Sequence, residues 1–148
     1  MEEEKHAKVD CRNLNVSTKM SIEICNSLRG MNIEDAKLLL NDIMEQKRAL
    51  PVRRFNFDLG HKKGGIGPGS YPKNASAVFL KLLKSLQANA NNKGMNTKNL
   101  VVVFSKANKG EQMWRSGSKG RMKRKNTHIE LRAKEIKNDR KTDSSTKA

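Results

Sequence analysis

The side chains best suited to hold a metal or to act as nucleophile and base are His6, His61, His128, Cys11 and Cys25. Their spacing supports neither role, because no histidine stands at a ligand interval from either cysteine. His128 heads an expected strand, where a structural or surface role is the simpler one. Glu34 and Asp35 would make an acid/base pair, but they fall in the first turn of an expected helix, where carboxylates stabilise the dipole. Gly64-Gly65-Ile66-Gly67-Pro68-Gly69 has the glycine content of a phosphate loop. It lacks the G-x-G-x-x-G interval, a preceding strand and a Walker lysine. Catalysis is therefore not expected, nor is a cofactor or metal.

Chemistry toward a polyanion is much better represented. Arg53-Arg54-Phe55-Asn56-Phe57 sets two guanidiniums beside two rings, and Lys62, Lys63 and Tyr71 follow in the same stretch. Guanidinium forks grip phosphates, and ring faces stack on unpaired bases. Each phenylalanine either does this or anchors its loop to the core. A second concentration runs from Lys106 to Lys125, where Lys106, Lys109, Arg115, Lys119, Arg121, Lys123, Arg124 and Lys125 face only Glu111. Trp114 stands there with Met113 as its one large apolar neighbour. It must fold back on its own chain or meet a partner, and the polar surroundings favour a partner.

The balance of charge gives the same direction. The 148 residues carry a formal charge of +16. Residues 1–46 hold 6 Lys/Arg against 9 Asp/Glu, a net of −3; residues 47–73 hold 7 against 1, and residues 106–131 hold 8 against 2, each +6. Cations gathered in two irregular segments form a footprint, whereas a merely solvated surface spreads its charge. The expected partner is nucleic acid rather than a membrane surface. Two isolated cysteines suit a reducing compartment, and no apolar run is long enough to span a bilayer.

The elements that must position these groups follow from periodicity. Val9 to Val16 alternates loosely and reads as a short strand. Ser17 or Thr18 caps a helix over Lys19–Leu28, with Gly30 as its stop. Asn32 with Asp35 starts a second helix, whose face is Ile33, Ala36, Leu40, Ile43 and Met44. Lys47 and Arg48 are expected in its last turn, with Pro51 as its end. Residues 52–71 show no period. Pro72 opens a third helix with Ala75, Val78, Phe79, Leu82, Leu83, Leu86 and Ala90 as its stripe, ending at Lys93-Gly94.

Leu100-Val101-Val102-Val103-Phe104 and His128-Ile129-Glu130-Leu131-Arg132 read as strands joined by the basic arm. Ordinary hairpin loops hold about 2–5 residues, so this connection is exceptional. Paired as a ribbon, about ten residues a side would reach roughly 30 Å. The expected fold is α+β: three helices packed on a small antiparallel sheet, with a long basic β-hairpin extension. One domain is expected over 1–135, including the loop 52–71 and the arm 100–133. A basic, flexible tail is expected at 136–148.

These residues also resemble a known family. Arg48-Ala49-Leu50-Pro51-Val52-Arg53-Arg54-Phe55-Asn56, then Gly60-His61, then Gly67-Pro68-Gly69-Ser70-Tyr71-Pro72 with Lys73, closely resemble the universal large-subunit ribosomal protein family twenty-two, counted seventeen in eukaryotic naming. Glu34-Asp35-Ala36-Lys37, Ala88-Asn89-Ala90, Gly120-Arg121 and His128-Ile129-Glu130 resemble its further landmarks. The glycine-rich insert before Tyr71 fits the eukaryotic and archaeal branch. The resemblance covers roughly residues 12–133. It departs at the arm, which is shorter than in eukaryotic relatives, with Ser116-Gly117-Ser118 where they are richer in arginine.

The resemblance implies a structural protein of the large ribosomal subunit that lines the nascent polypeptide exit tunnel with its hairpin. It implies ribosomal RNA contacts at Arg53, Arg54, Asn56, His61, Lys62, Lys63, Tyr71 and Lys73 in the loop, and at Lys106, Lys109, Arg121, Lys123, Arg124 and Lys125 in the arm. Met113, Trp114, Arg115 and Lys119 would form the hairpin tip. Implied partners are ribosomal RNA, neighbouring ribosomal proteins and the nascent polypeptide, in the cytoplasm, with nuclear or nucleolar assembly if the source is eukaryotic. The alternative is a free nucleic-acid chaperone or chromatin-type binding protein. An RNA-modifying enzyme comes third, for want of a site.

Overall fold

A computed structural model describes residues 6–136, with the side chains of Lys98 and Lys119 not described. Six strands and three helices follow in the order β1 (His6–Leu14), α1 (Thr18–Leu28), α2 (Ile33–Met44), β2 (Leu50–Pro51), β3 (His61–Lys62), β4 (Gly67–Ser70), α3 (Lys73–Asn92), β5 (Leu100–Lys109) and β6 (Thr127–Glu135). They make two antiparallel three-stranded sheets, β1-β6-β5 and β2-β4-β3. The architecture is α+β, as expected. Beyond Ile136 the expected tail lies outside the described residues.

The larger sheet forms because its strands carry apolar residues at period two on one face. Ala7 and Val9, Ile129, Leu131 and Ala133, and Leu100 and Val102 all point into the core. In β5 the phase then slips. A bulge between Val102 and Phe104 leaves Val103 facing solvent and turns Ser105 inward. One extra residue in a ladder shifts every later side chain to the other face.

Helix α3 lays the expected stripe on this core, with Phe79, Leu83, Leu86 and Ala90 wholly buried. It ends in a Schellman motif: Met95 N–H donates to Ala90 C=O at 3.0 Å and Gly94 N–H to Asn91 C=O at 2.9 Å. Gly94, at φ +69°, takes the left-handed position that this closure needs. The α1–α2 link is fixed to the edge of β5, because Gly30 N–H donates to Val102 C=O and Val102 N–H to Met31 C=O.

Several local expectations are corrected. Ser17 and Asn32 occupy the N-cap positions of α1 and α2, but neither side chain makes a capping bond. Pro72 is itself the N-cap of α3 rather than its first residue. Lys47 and Arg48 lie beyond α2, which stops at Met44, and Pro51 does not end it. The stop is another Schellman closure, with Lys47 N–H on Asp42 C=O, Gln46 N–H on Ile43 C=O, and Gln46 at φ +63°.

The stretch 52–71 is not irregular throughout. Its glycines and Pro68 build β4, which pairs Gly69 with Pro51 and Gly67 with Lys62. Two-residue strands rich in glycine and proline leave no period to read.

The arm also departs from expectation. The β5–β6 ladder is regular only to Lys109 opposite Thr127. From Gly110 to Asn126 there is one isolated bridge, Trp114 with Lys123, and a single 3-10 turn over Gly117–Lys119. A continuous ribbon is not formed there. The segment holds no Val, Ile or Thr, and like charges crowd both of its sides.

Candidate nucleic-acid interface

The loop that carries Arg53 and Arg54 is held by a residue the sequence did not single out. Glu23 lies on α1 with its side chain buried. Its carboxylate accepts three backbone bonds, from Arg54 N–H at 2.8 Å and Phe55 N–H at 3.1 Å on Oε1, and from Arg53 N–H at 3.3 Å on Oε2. Three consecutive donors on one anion fix the backbone while both guanidiniums stay exposed. In sequence Glu23 is one carboxylate on an amphipathic helix, thirty positions from its partners. No local signal could have found it.

The rings beside it divide. Phe55 is half-buried, with Lys19 Nζ 5.8 Å and the Arg54 guanidinium 5.5 Å from its centroid. Phe57 is 89% exposed and anchors nothing. Tyr71 is half-buried under Lys62 Nζ at 5.8 Å. Asn56, His61, Lys62 and Lys63 are exposed around β3, and Lys73 is exposed at the first residue of α3.

The arm leaves the domain through a tight root. Thr127, wholly buried, donates from Oγ1 to Val16 C=O at 3.0 Å and contacts Thr18 Oγ1 at 2.8 Å. Asn126 donates from Nδ2 to Asn13 Oδ1 at 3.1 Å and to Glu111 C=O at 2.8 Å, while Gly110 N–H donates to Asn126 C=O. Asn13 takes φ +58°, a conformation asparagine tolerates, and its N–H donates to His128 Nδ1 at 3.1 Å. A Cβ on Gly110 would stand 2.8 Å from Asn126 Cγ and 2.9 Å from the His128 ring. His128 is thus a structural group at the arm's root.

This root brings the end of the first basic segment, Tyr71 and Lys73, beside the arm. Lys125 of the arm lines a depression of about 480 Å³ with Tyr71, Lys73 and Asn15. Asn15 and Lys125 also border a second depression of about 380 Å³, with Arg124 and Asn126. The tract from Tyr71 through Lys73 to Lys125 and Arg124 is continuous. Arg121, Lys123 and Arg115 are exposed further along the arm, with Met113 and Trp114, and Lys119 ends the 3-10 turn there. Lys106 is not brought into the tract, whereas Lys109 reaches it through a further depression of about 620 Å³ shared with Glu111, Met113, Trp114 and Lys123. Both lie on β5, and Lys106 stands opposite Glu130 in the ladder.

Glu130 itself is neutralised on the sheet's outer face. Arg132 donates to it at 2.7 and 2.9 Å and Lys8 approaches at 3.2 Å, holding its carboxyl below the usual range, with the Arg132 hydrogen bond the largest cause. Neither cysteine has metal partners among the described residues, where no group of three His, Cys, Asp or Glu could hold an ion. Burial pushes the Cys25 thiol up to about 11, despite a lowering contribution from Ser105.

Fold and surface together define a small α+β protein that presents cations on rigid backbone to a polyanion. The sequence model of ribosomal protein L22p/L17e matches residues 9–134, and the chain belongs to that family. Among its relatives, a protein of Cenarchaeum symbiosum named "Large ribosomal subunit protein uL22" is 39% identical, covering 88% of this chain and 90% of the relative. Its namesake in Methanosphaera stadtmanae is 38% identical, over 87% and 88% of the two chains. That of Thermofilum pendens is 39% identical over 74% and 73%.

Proposed function

We propose that this chain is a structural constituent of the large ribosomal subunit, binding ribosomal RNA and taking no catalytic part. Residues 1–135 act as one unit. The loop 52–71 grips RNA through Arg53, Arg54, Asn56, His61, Lys62, Lys63 and Tyr71, with Lys73 at the start of α3 beside it. The arm adds Lys106, Lys109, Arg121, Lys123, Arg124 and Lys125. Its tip, with Met113, Trp114, Arg115 and Lys119, lies at the wall of the polypeptide exit tunnel, between RNA and the nascent chain. Neighbouring ribosomal proteins complete the contacts, and the protein resides on cytoplasmic ribosomes.

One observation carries this reading. Two groups of exposed cations are mounted on backbone that the protein holds in advance, by the Glu23 carboxylate in one case and the Asn126–Asn13 root in the other. Cations on preset backbone neutralise phosphates without the cost of ordering the loop, and the released counterions supply the driving force.

Sedimentation of a cell extract tests it. The account expects the chain to travel with large subunits through a high-salt wash. A free pool that leaves in the wash would favour the nucleic-acid chaperone instead. Turnover of an RNA substrate by the pure protein would overturn the non-catalytic assignment.

A further inference from the structure

Trp114 is the one large aromatic side chain on the arm, and its surroundings are specific. It is 62% exposed, with the Lys123 ammonium 4.6 Å from its ring centroid. The two residues face each other across the arm's isolated bridge. Arg115 N–H donates to Met122 C=O at 3.0 Å and Arg124 N–H to Met113 C=O at 2.8 Å, one on either side of the pair. This is the non-hydrogen-bonded kind of antiparallel pair, in which opposed side chains approach most closely. The backbone therefore sets the ammonium against the indole.

We infer that Trp114, backed by Lys123, is a stacking platform for one unpaired nucleobase. The inference rests on the RNA-binding function proposed above and assigns one residue of the tip to RNA rather than to the nascent peptide. An ammonium already lies over the ring, and a base stacked on its exposed surface gains both π contact and the nearby positive charge. Arg121, Lys123 and Arg124 are exposed close by in the chain, so phosphates flanking the base would meet cations directly.

A neutral apolar peptide is the poorer occupant. It would strip water from Lys123 without offering a counter-charge, and a buried unpaired ammonium is costly.

The chain has a single tryptophan, so its emission reports on Trp114 alone. The full chain is titrated with an RNA hairpin carrying a six-adenosine loop and, separately, with a fully paired RNA duplex of equal length. Binding is followed independently by anisotropy of labelled RNA. At matched saturation the loop RNA quenches Trp114 strongly and the duplex does not. Trp114→Ala and Trp114→Leu each weaken loop binding roughly tenfold, within the range for losing one base–aromatic stack, while Trp114→Phe keeps most of it. Duplex affinity stays the same in all three.

Equal quenching by both RNAs overturns the inference, and so does full loop affinity in Trp114→Leu. A blue shift of Trp114 emission on adding an apolar peptide, without a response to RNA, would transfer the residue to the peptide. In each of these cases the anisotropy still reports RNA binding. Absence of any RNA binding by the wild-type chain overturns the RNA-binding function itself, and the stacking platform with it.

Discussion

Replacing Glu23 separates two accounts of the basic loop, because electrostatics and geometry give opposite signs. Glu23→Ala removes a negative charge from a protein that binds a polyanion. If charge alone mattered, RNA would bind more tightly. The structure gives the reverse expectation. The buried carboxylate accepts three backbone N–H groups, from Arg53, Arg54 and Phe55.

Hydrogen bonds to an ionised acceptor contribute about 1.5–3 kcal/mol each, and removing a shared acceptor is less than additive because water reaches part-buried donors. A net loss of about 3 kcal/mol is expected. With a urea slope of about 2 kcal/mol per molar, the unfolding midpoint falls by about 1.5 M. Glu23→Gln keeps one oxygen at the Oε1 position but turns an NH₂ toward another donor, so it should fall between, losing about 1.5 kcal/mol. Binding then has to order the loop, at about 1–2 kcal/mol per residue, which weakens RNA affinity tenfold or more. The assay pairs a urea melt with RNA anisotropy at fixed salt. An unchanged midpoint, or Glu23→Ala binding RNA more tightly than wild type, refutes the clamp.

Three further outcomes are expected. Gly110→Ala forces a methyl against Asn126 and His128; overpacking of this kind costs about 1–3 kcal/mol, so a thermal melt should fall by about 5 °C. An unchanged melt would show that the arm's root yields freely. Cys25, with its thiol pushed up to about 11 by burial, should resist alkylation in the folded protein at pH 8. An unfolded thiol titrates near 8.5, so the folded state keeps a proton the unfolded chain has released, and stability should decline as pH rises from about 9 to 11. A chemical melt at pH 8, 9.5 and 11 checks the sign, and rising stability would contradict it. Finally, the eight arm cations predict a log–log salt slope for RNA binding of order −6 if all of them meet phosphate, at about −0.7 each. Deletion of residues 106–125 should remove most of that slope, and an unaltered slope would place the contacts elsewhere.

Much of the fold could be read because its burial is periodic. Ala75 to Ala90 marks one stripe of α3, and the β-branched run at Leu100 marks β5. What was missed lacks local signals. The sheet β2-β4-β3 is made of two- and four-residue strands in which Gly67, Pro68 and Gly69 replace any apolar alternation. Gln46 ends α2 in a left-handed conformation usually given to glycine, so the helix stops well before the proline that seemed to end it.

The site was legible as charge but not as geometry. Arg53, Arg54, Lys62 and Lys63 announce a polyanion by composition. The groups that hold the basic segments, Glu23 for the loop and the Asn13–Asn126 contact for the arm, join residues 30 to 113 positions apart in the chain. The arm shows the opposite error. Its length suggested a ribbon, but its residues lack the propensity to form one unaided, and only Trp114 and Lys123 bridge its middle.

The most direct measurement is a density map of the large ribosomal subunit purified from cells that produce this chain. The account expects the chain in the particle, with Arg53, Arg54 and Lys62 of the loop and Arg121, Lys123 and Arg124 of the arm within hydrogen-bonding distance of RNA phosphates. A subunit without the chain, or one in which both basic segments face solvent, would contradict it.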